Sequence, residues 1–360
     1  MALWFARGAA TVRKARTMAV TGVRWLLAPL WAAQIFTSAK SFCDNGVLGS
    51  ERLNRKGLHA WRCALAQRMA DRRRLRLQDR VAPEDRAAFA RDGFVMKRDF
   101  LPPSLFRRVR AEVEGHVAPA REMKQGDAVT RRIALDPGAL AAMPACAEMV
   151  RLPEFQDLIR YVASFDVEPI VYVQTVFAQV DDAASDPQTS LHADCFHPSL
   201  KAWLFLQDVA EDAGPFVYVP GSHRHTKRRL AWEKRMSVEA SRLDRLSARG
   251  SFRLRPGDLK RMRLPEPKKF AVSANTFVAA DTSGFHARGA SARPSVRIEI
   301  WAYARRNPFL PFVGVDPWAL APLKHRQAPL FWGALDVLER FGLGRSPWRK
   351  AGQITAATPV

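Results

Sequence analysis

Cysteine is scarce in this 360-residue chain: Cys43, Cys63, Cys146 and Cys195 are its four thiols, and no two stand at a paired or zinc-type spacing. Neither a disulfide framework nor a zinc module is implied, and a reducing cytoplasm with free thiols is the better expectation. Acidic residues are also short, with 35 Asp and Glu against 57 Lys and Arg, a formal net charge of +22. That excess invites a nucleic-acid reading, but no helix-turn-helix, RNP or zinc-finger pattern accompanies it. An anionic membrane surface or an acidic substrate is at least as good a partner. The excess is uneven. Residues 1–80 hold 16 Lys or Arg against 4 Asp or Glu, so they carry +12 of the total, and the remaining 280 residues carry +10.

The apolar run of interest is Met18 to Phe36 (MAVTGVRWLLAPLWAAQIF), interrupted by Arg24 and Gln34. It is just long enough to cross a bilayer, but Arg24 and Pro29 count against a span. A long basic lead and the want of a small-x-small cleavage site count against a signal peptide. Peripheral membrane contact, a core-packing helix, and a span or signal all stay open. Arg68 to Arg76 (RMADRRRLR) reads as a basic helical face, with a solvated surface as the plain alternative.

Chemistry is signalled by Leu191-His192-Ala193-Asp194, followed by His286 and then Arg297. On a strand, side chains alternate, so His192 and Asp194 point to the same side and can reach one ion. Two histidines and one carboxylate on a face of an octahedron make the triad of non-haem Fe(II) oxygenases, with three positions left for co-substrate and O2. Taken alone, His-x-Asp is a weak signal.

From about Phe89 to Pro308 the chain resembles the phytanoyl-CoA dioxygenase family of Fe(II)/2-oxoglutarate-dependent oxygenases. The matching residues are His192-x-Asp194, Lys201-Ala-Trp-Leu-Phe-Leu206, Gly214 to Pro220-Gly-Ser-His223, Asp281 to His286, and Arg297. The resemblance implies Fe(II) held by His192, Asp194 and His286. It also implies 2-oxoglutarate as co-substrate with its far carboxylate on Arg297, O2 as oxidant and ascorbate as an occasional reductant. A guanidinium fork gives a carboxylate two parallel hydrogen bonds, which lysine cannot match. Trp203 is a candidate wall of the 2-oxoglutarate pocket. Keeping Asp194 argues against a halogenase, which needs that position emptied. Two departures stand out: Ala193 where the family often has Gln, and Arg288 where a small polar residue is common two positions past the distal histidine. The second leaves the substrate more open than the cofactor.

Arg297 has a competing reading as one half of a surface Arg297/Glu299 neighbour pair. Against it, Val296, Ile298 and Ile300 alternate with Arg297, Glu299 and Trp301, so the strand has one aliphatic and one charged and aromatic face. His223 reads as structural, as does His197, which is near enough to Asp194 to touch substrate. His59, His116, His225 and His325 have no pattern around them.

Helical periodicity runs from Pro83 to Glu114, with Ser104 as a candidate N-cap for Leu105 to Glu114. Strands are expected at Glu168–Val180, Thr189–Asp194, Lys201–Gln207, Pro215–Val219, Thr276–Ala280 and Ser295–Ala304. The expected fold is α+β: a double-stranded β-helix, a jelly-roll or cupin-like barrel with flanking helices and a helical basic N-terminal extension, which holds a site in its mouth. The expected organisation is a basic extension over 1–82, a dioxygenase domain over 83–310, and a carboxy-terminal amphipathic extension over 311–360. An inserted, Arg-rich helical segment at about 224–264 is expected to cover the site. In Leu330 to Phe341, Leu330, Ala334, Val337, Leu338 and Phe341 share one helical face, as in a helix lying on a membrane surface. The function expected is hydroxylation of an unactivated C–H in a small molecule, a lipid or acyl derivative with an anionic head. The rival reading is a catalytically silent barrel that binds a lipid or acidic ligand at membranes.

Overall fold

The computed structural model describes residues 27–360 apart from 183 and 185. Residues 18–26, nine of the nineteen in Met18 to Phe36, therefore lie outside the described residues. Of its remainder, residues 27–33 are helical and Leu30 and Phe36 are exposed. Among the described residues, no helix is long and apolar enough to cross a membrane.

Among the described residues, eleven strands build two facing sheets. In chain order they are β1 (Phe94–Lys97), β2 (Ala118–Gln125), β3 (Ala128–Ala134), β4 (Ile170–Ala178), β5 (Leu200–Phe205), β6 (Phe216–Tyr218), β7 (Lys268–Phe270), β8 (Thr276–Asp281), β9 (His286–Arg288), β10 (Ser295–Ala304) and β11 (Arg349–Ile354). The larger sheet runs β1-β8-β5-β10-β4-β3-β2-β11 and the smaller β7-β6-β9, with antiparallel pairing throughout. The result is the α+β double-sheet barrel that the strand pattern predicts.

The two faces of the larger sheet pack differently. Ile298, Ile300, Ala302 and Ala304 of β10 point outward into a core shared with the helices Pro103–Gly115, Pro144–Arg151 and Pro153–Ala163. Leu105, Val109 and Val113, four apart, are the buried stripe of the first of these. Its Glu112 carboxylate accepts the first amides of the next helix, from Ala145 at 2.8 Å and Cys146 at 2.9 Å, where the helix dipole favours an anion. The opposite face supplies Trp203, Phe205, Tyr172 and Trp301 to the barrel interior, facing Phe216, Tyr218 and Phe270.

Three local expectations change. The helical stretch Pro83 to Glu114 is two helices, Pro83–Asp92 and Pro103–Gly115, with β1 between them. Gly93, at φ +87°, ends the first. Ser104 lies inside the second helix, which begins on Pro103 with no side-chain cap. Thr189–Asp194 is a short 3-10 turn at Pro187–Thr189 followed by a single bridged residue, His192.

Arginine is spent inward. In the helix Leu58–Leu75, part of the predicted basic face, Arg73 and Arg74 are buried while Arg68 and Arg72 are exposed. Arg73 donates to the carbonyls of Ser164 (3.0 Å), Pro308 (3.0 Å) and Leu310 (2.8 Å), its guanidinium 3.9 Å from the Phe165 ring centroid. Arg62 likewise gathers the carbonyls of Ile35, Thr37 and Ala39. The described part of the basic extension is thus braced within itself by Arg62 and tied to the barrel domain by Arg73.

The insert lies behind the smaller sheet, not over the cavity as expected. Trp232, Met236 and Phe252 pack with Val219 and Phe285 in a separate apolar cluster. These side chains carry the helix Lys227–Glu239 to the sheet's outer face, so hydrophobic burial decides the placement.

Replacing Arg73 by Met strands three buried carbonyls, each costing about 1 kcal/mol or more. The expected loss in urea unfolding is about 2–4 kcal/mol, against less than about 0.5 kcal/mol for Arg72→Met on the exposed side of the same helix.

Candidate functional site

His192 and His286 are locked together through their backbones. Each amide donates to the other's carbonyl at 2.9 Å, making an antiparallel bridge between the strand remnant at 192 and β9. Residues opposite one another in such a pair put their side chains on the same face. The imidazole centroids are 4.6 Å apart. Asp194, the next same-facing residue, brings its Oδ1 to 3.7 Å from His192 Nε2 and 3.6 Å from His286 Nε2. The three donors form one cluster with all ligand atoms within 4.8 Å.

Their surroundings fix which atoms face inward. His192 Nδ1 lies 2.8 Å from the Ser190 carbonyl and His286 Nδ1 3.0 Å from that of Gly284, which makes both Nδ1 atoms donors and leaves Nε2 lone pairs aimed at the cluster. Burial, with His286 beside it, lowers the His192 pKa to about 4, so its ring is neutral near pH 7. Burial alone would raise Asp194, but Lys201 and the two histidines bring it well below the usual carboxylate range. Lys201 Nζ sits 2.6 Å from Asp194 Oδ2, an ion pair on the oxygen away from the histidines. His286 Nε2 is buried with no hydrogen-bond partner. A buried orphan nitrogen is costly, and a divalent cation held by two imidazole nitrogens and a carboxylate removes that cost. The donor set fits Fe(II).

The cluster opens on a cavity of about 270 Å³ whose wall includes Trp203, Phe216, Arg288, Arg297 and Trp301. Arg297 stands on the inward face of β10. Its Nε donates to Glu299 at 2.9 Å and its Nη1 to the Gly214 carbonyl. Both features of the competing reading are therefore present in altered form, since the Arg297/Glu299 pair exists but is buried. Trp203 stacks on Phe216, centroids 4.2 Å apart, and faces Trp301 across the β5/β10 pair.

His223 and His197 do not join the cluster. His223 packs on Phe89 with centroids 5.3 Å apart, and only a glycine fits at position 93 beneath its ring. His197 is fully buried, its Nδ1 2.9 Å from the Pro198 carbonyl. Several cavity residues escape the sequence reading: Arg132 and Thr130 on β3, Gln174 on β4, and Trp348 before β11. Arg288, singled out as a departure, pairs with Asp186 at 2.7 Å and donates to Thr130 Oγ1 at 3.2 Å. The period-2 pattern of Thr130, Arg132 and Ala134 was the available signal, hidden by the Arg131-Arg132 dipeptide.

His286→Ala is expected to weaken Ni(II) binding, measured calorimetrically, by more than about 100-fold, whereas His223→Ala leaves it within about twofold. Equal losses in the two variants would remove His286 from the ligand set.

A model of the family described as phytanoyl-CoA dioxygenase (PhyH) matches residues 89–259, which include His192 and Asp194. No curated protein matches the sequence. Among solved structures, the chain is similar to the non-heme alpha ketoglutarate dependent epimerase SnoN from nogalamycin biosynthesis, at 20% identity over 76% of this chain and 94% of that one, with a TM-score of 0.43. It is also similar to HygX from Streptomyces hygroscopicus with nickel and 2-oxoglutarate bound (18% identity, 62% and 87% covered, TM-score 0.37). A third is EctD from S. alaskensis with 2-oxoglutarate and 5-hydroxyectoine (14%, 66% and 83%, 0.38). Likenesses this distant carry no argument about what this chain binds. The family match spans the strands that lead to the donor cluster and the first two of its donors, so over residues 89–259 the chain matches the phytanoyl-CoA dioxygenase family.

Proposed function

We propose that this protein is an Fe(II)- and 2-oxoglutarate-dependent dioxygenase that hydroxylates an unactivated C–H bond of a small molecule. The observation that carries the reading is the convergence of His192, Asp194 and His286, with one orphan Nε2, on a cavity that Arg297 also lines. Fe(II) with 2-oxoglutarate and O2 supplies the oxidation: one oxygen atom ends in the hydroxyl, the other in succinate, and CO2 leaves. The chain's own groups do the positioning. The Ser190 and Gly284 carbonyls fix the imidazole tautomers. Lys201 occupies Asp194 Oδ2 and leaves Oδ1 for the metal. Arg297 offers its guanidinium to the distal carboxylate of 2-oxoglutarate, and Trp203, Phe216 and Trp301 form the aromatic part of the cavity wall.

The molecule oxidised is read as carrying an anionic head and an apolar chain. Guanidinium groups in the cavity support the head. The chain is supported by the helix Gln327–Arg340, which buries Ala328 and Trp332 but leaves Leu330, Phe331, Val337 and Leu338 exposed, as is Phe341 just beyond. Arg326, Arg340 and Arg345 are exposed beside that face, a combination suited to an anionic lipid surface. Trp348, a few residues on, lines the cavity, so the apolar face and the site entrance belong to one short segment.

With Fe(II), ascorbate and 2-oxoglutarate, the purified chain is expected to release succinate slowly even without substrate. Arg297→Lys should weaken 2-oxoglutarate by about tenfold or more while metal content is kept, since lysine loses the two-pronged contact. An unchanged 2-oxoglutarate affinity would move the anchor elsewhere, and no succinate from any preparation would favour a silent binding module. In flotation at high salt with phosphatidylglycerol vesicles, the Phe331→Ser/Phe341→Ser double variant should bind about tenfold less well than the intact chain, through lost apolar burial. Deleting residues 1–40 reads the contribution of the amino-terminal stretch separately. If the intact chain never floats, the membrane part of the reading falls and a water-soluble anionic substrate replaces it.

A further inference from the structure

Four cations line the cavity: Arg132, Lys201, Arg288 and Arg297. Three have a carboxylate in contact. Lys201 has Asp194 at 2.6 Å, Arg288 has Asp186 at 2.7 Å, and Arg297 has Glu299 at 2.9 Å. Arg132 has none among the described residues. Its one polar side-chain contact is neutral, Nε donating to Gln174 Oε1 at 2.9 Å.

The strand register explains this arrangement. Arg132, Gln174 and Glu299 stand abreast on β3, β4 and β10. Gln174 turns its carbonyl to Arg132 and its amide to Glu299, donating to it at 2.7 Å, and Glu299 in turn accepts from Arg297. A single hydrogen-bonded row therefore ends in a guanidinium on each side. At about 4.8 Å per strand, the backbones that begin and end the Arg132-to-Glu299 stretch are on the order of 10 Å apart. The Glu299 carboxylate is used up at the Arg297 end, and only an amide reaches Arg132.

Arg132 is also held rigidly. Its guanidinium carbon lies 3.9 Å from the Trp301 ring centroid, 4.7 Å from that of Trp348 and 5.0 Å from that of Tyr172. Aromatic faces stabilise the cation and fix its plane but do not neutralise it. Burial lowers its pKa only to about 10, so it is charged at neutral pH. An oriented guanidinium with no carboxylate in contact, on the wall of a ligand cavity, is placed to take an anion.

The cofactors do not supply that anion. In the proposed function, Asp194 is committed to the metal and Lys201, and 2-oxoglutarate brings one carboxylate to Arg297 and the other to the metal. We infer that Arg132, clamped between Trp301 and Trp348, binds an anionic group of the molecule to be oxidised, a carboxylate or a phosphate, and so sets which C–H faces the metal. This inference rests on the dioxygenase reading and names the substrate class for the same site.

The test uses the full chain loaded with Ni(II) and saturated with N-oxalylglycine, a non-reacting mimic of 2-oxoglutarate, then titrated calorimetrically with sodium phosphate in one arm and sodium acetate in the other. A second, saturable anion site is expected, at least about tenfold weaker in Arg132→Gln, with N-oxalylglycine affinity kept within about twofold. The arm that binds more tightly tells phosphate from carboxylate. If Arg132→Gln does not fold, Arg132→Lys carries the test, with a loss of at least about threefold expected from the missing fork. Absence of a second site in the unaltered chain, or equal affinity in the variant, overturns the inference. So does loss of N-oxalylglycine itself in the variant, which would make Arg132 the co-substrate's anchor. Failure of the unaltered chain to bind N-oxalylglycine at all counts against the dioxygenase reading instead.

Discussion

Two backbone hydrogen bonds, exchanged between His192 and His286, hold the functional part of this molecule together. They join segments far apart in sequence, and they do so at the positions whose side chains must meet. Because an antiparallel bridge fixes both separation and facing, the geometry of the donor cluster is a consequence of closing the smaller sheet. Asp194 then needs only the two-residue period of an extended chain to complete the set. Nothing in the loop itself has to hold the three donors in place. The larger sheet supplies the opposing wall, and its register decides what faces the donor cluster: an aromatic row of Trp203, Trp301 and Tyr172, and beside it the polar row that runs from Arg132 to Glu299.

The charge excess has a structural explanation that composition could not provide. Several arginines serve as multi-pronged donors to backbone carbonyls outside regular structure. Arg62 and Arg73 do this for the amino-terminal segment, and Arg131 does it for the chain's last residues through Thr355 and Ala356. Arg229 closes a buried pair with Glu233, which also meets His59 at 2.9 Å. A guanidinium has five donors in a fixed plane, so one side chain can satisfy carbonyls that no strand or helix reaches. A basic sequence of this kind is partly a protein that uses arginine as internal bracing, and its net charge overstates the charge available to a partner.

The donor cluster and the strand carrying Arg297 were legible because both rest on period 2, which a sequence displays directly. Ser295–Ala304 was read to the residue, and the alternation of Arg297, Glu299 and Trp301 with Ile298 and Ile300 gave the correct facing. β1 was missed because four residues between two helices carry too little pattern to interrupt a helical period. Arg132 was missed because adjacent arginines look like a charge run, although on a strand they point to opposite faces, one to the tail and one to the cavity. The Arg288–Asp186 pair and the place of Trp348 depend on contacts distant in sequence and leave no local trace. The insert was expected over the site on its arginine content, whereas Trp232, Met236 and Phe252 decided its position.

That insert has one further consequence. Residues 252–254 run alongside the ligand segment: the Ala193 amide donates to the Phe252 carbonyl at 3.0 Å, and the Leu254 amide to the Leu191 carbonyl at 2.9 Å. Without them, the strand that presents His192 and Asp194 would be the outermost of its sheet, with a row of unpaired amides and carbonyls open to any other extended chain. The insert therefore acts as a guard against intermolecular strand pairing along this edge. Shortening it would invite aggregation through the very segment that carries the ligands, even though none of its side chains lines the cavity.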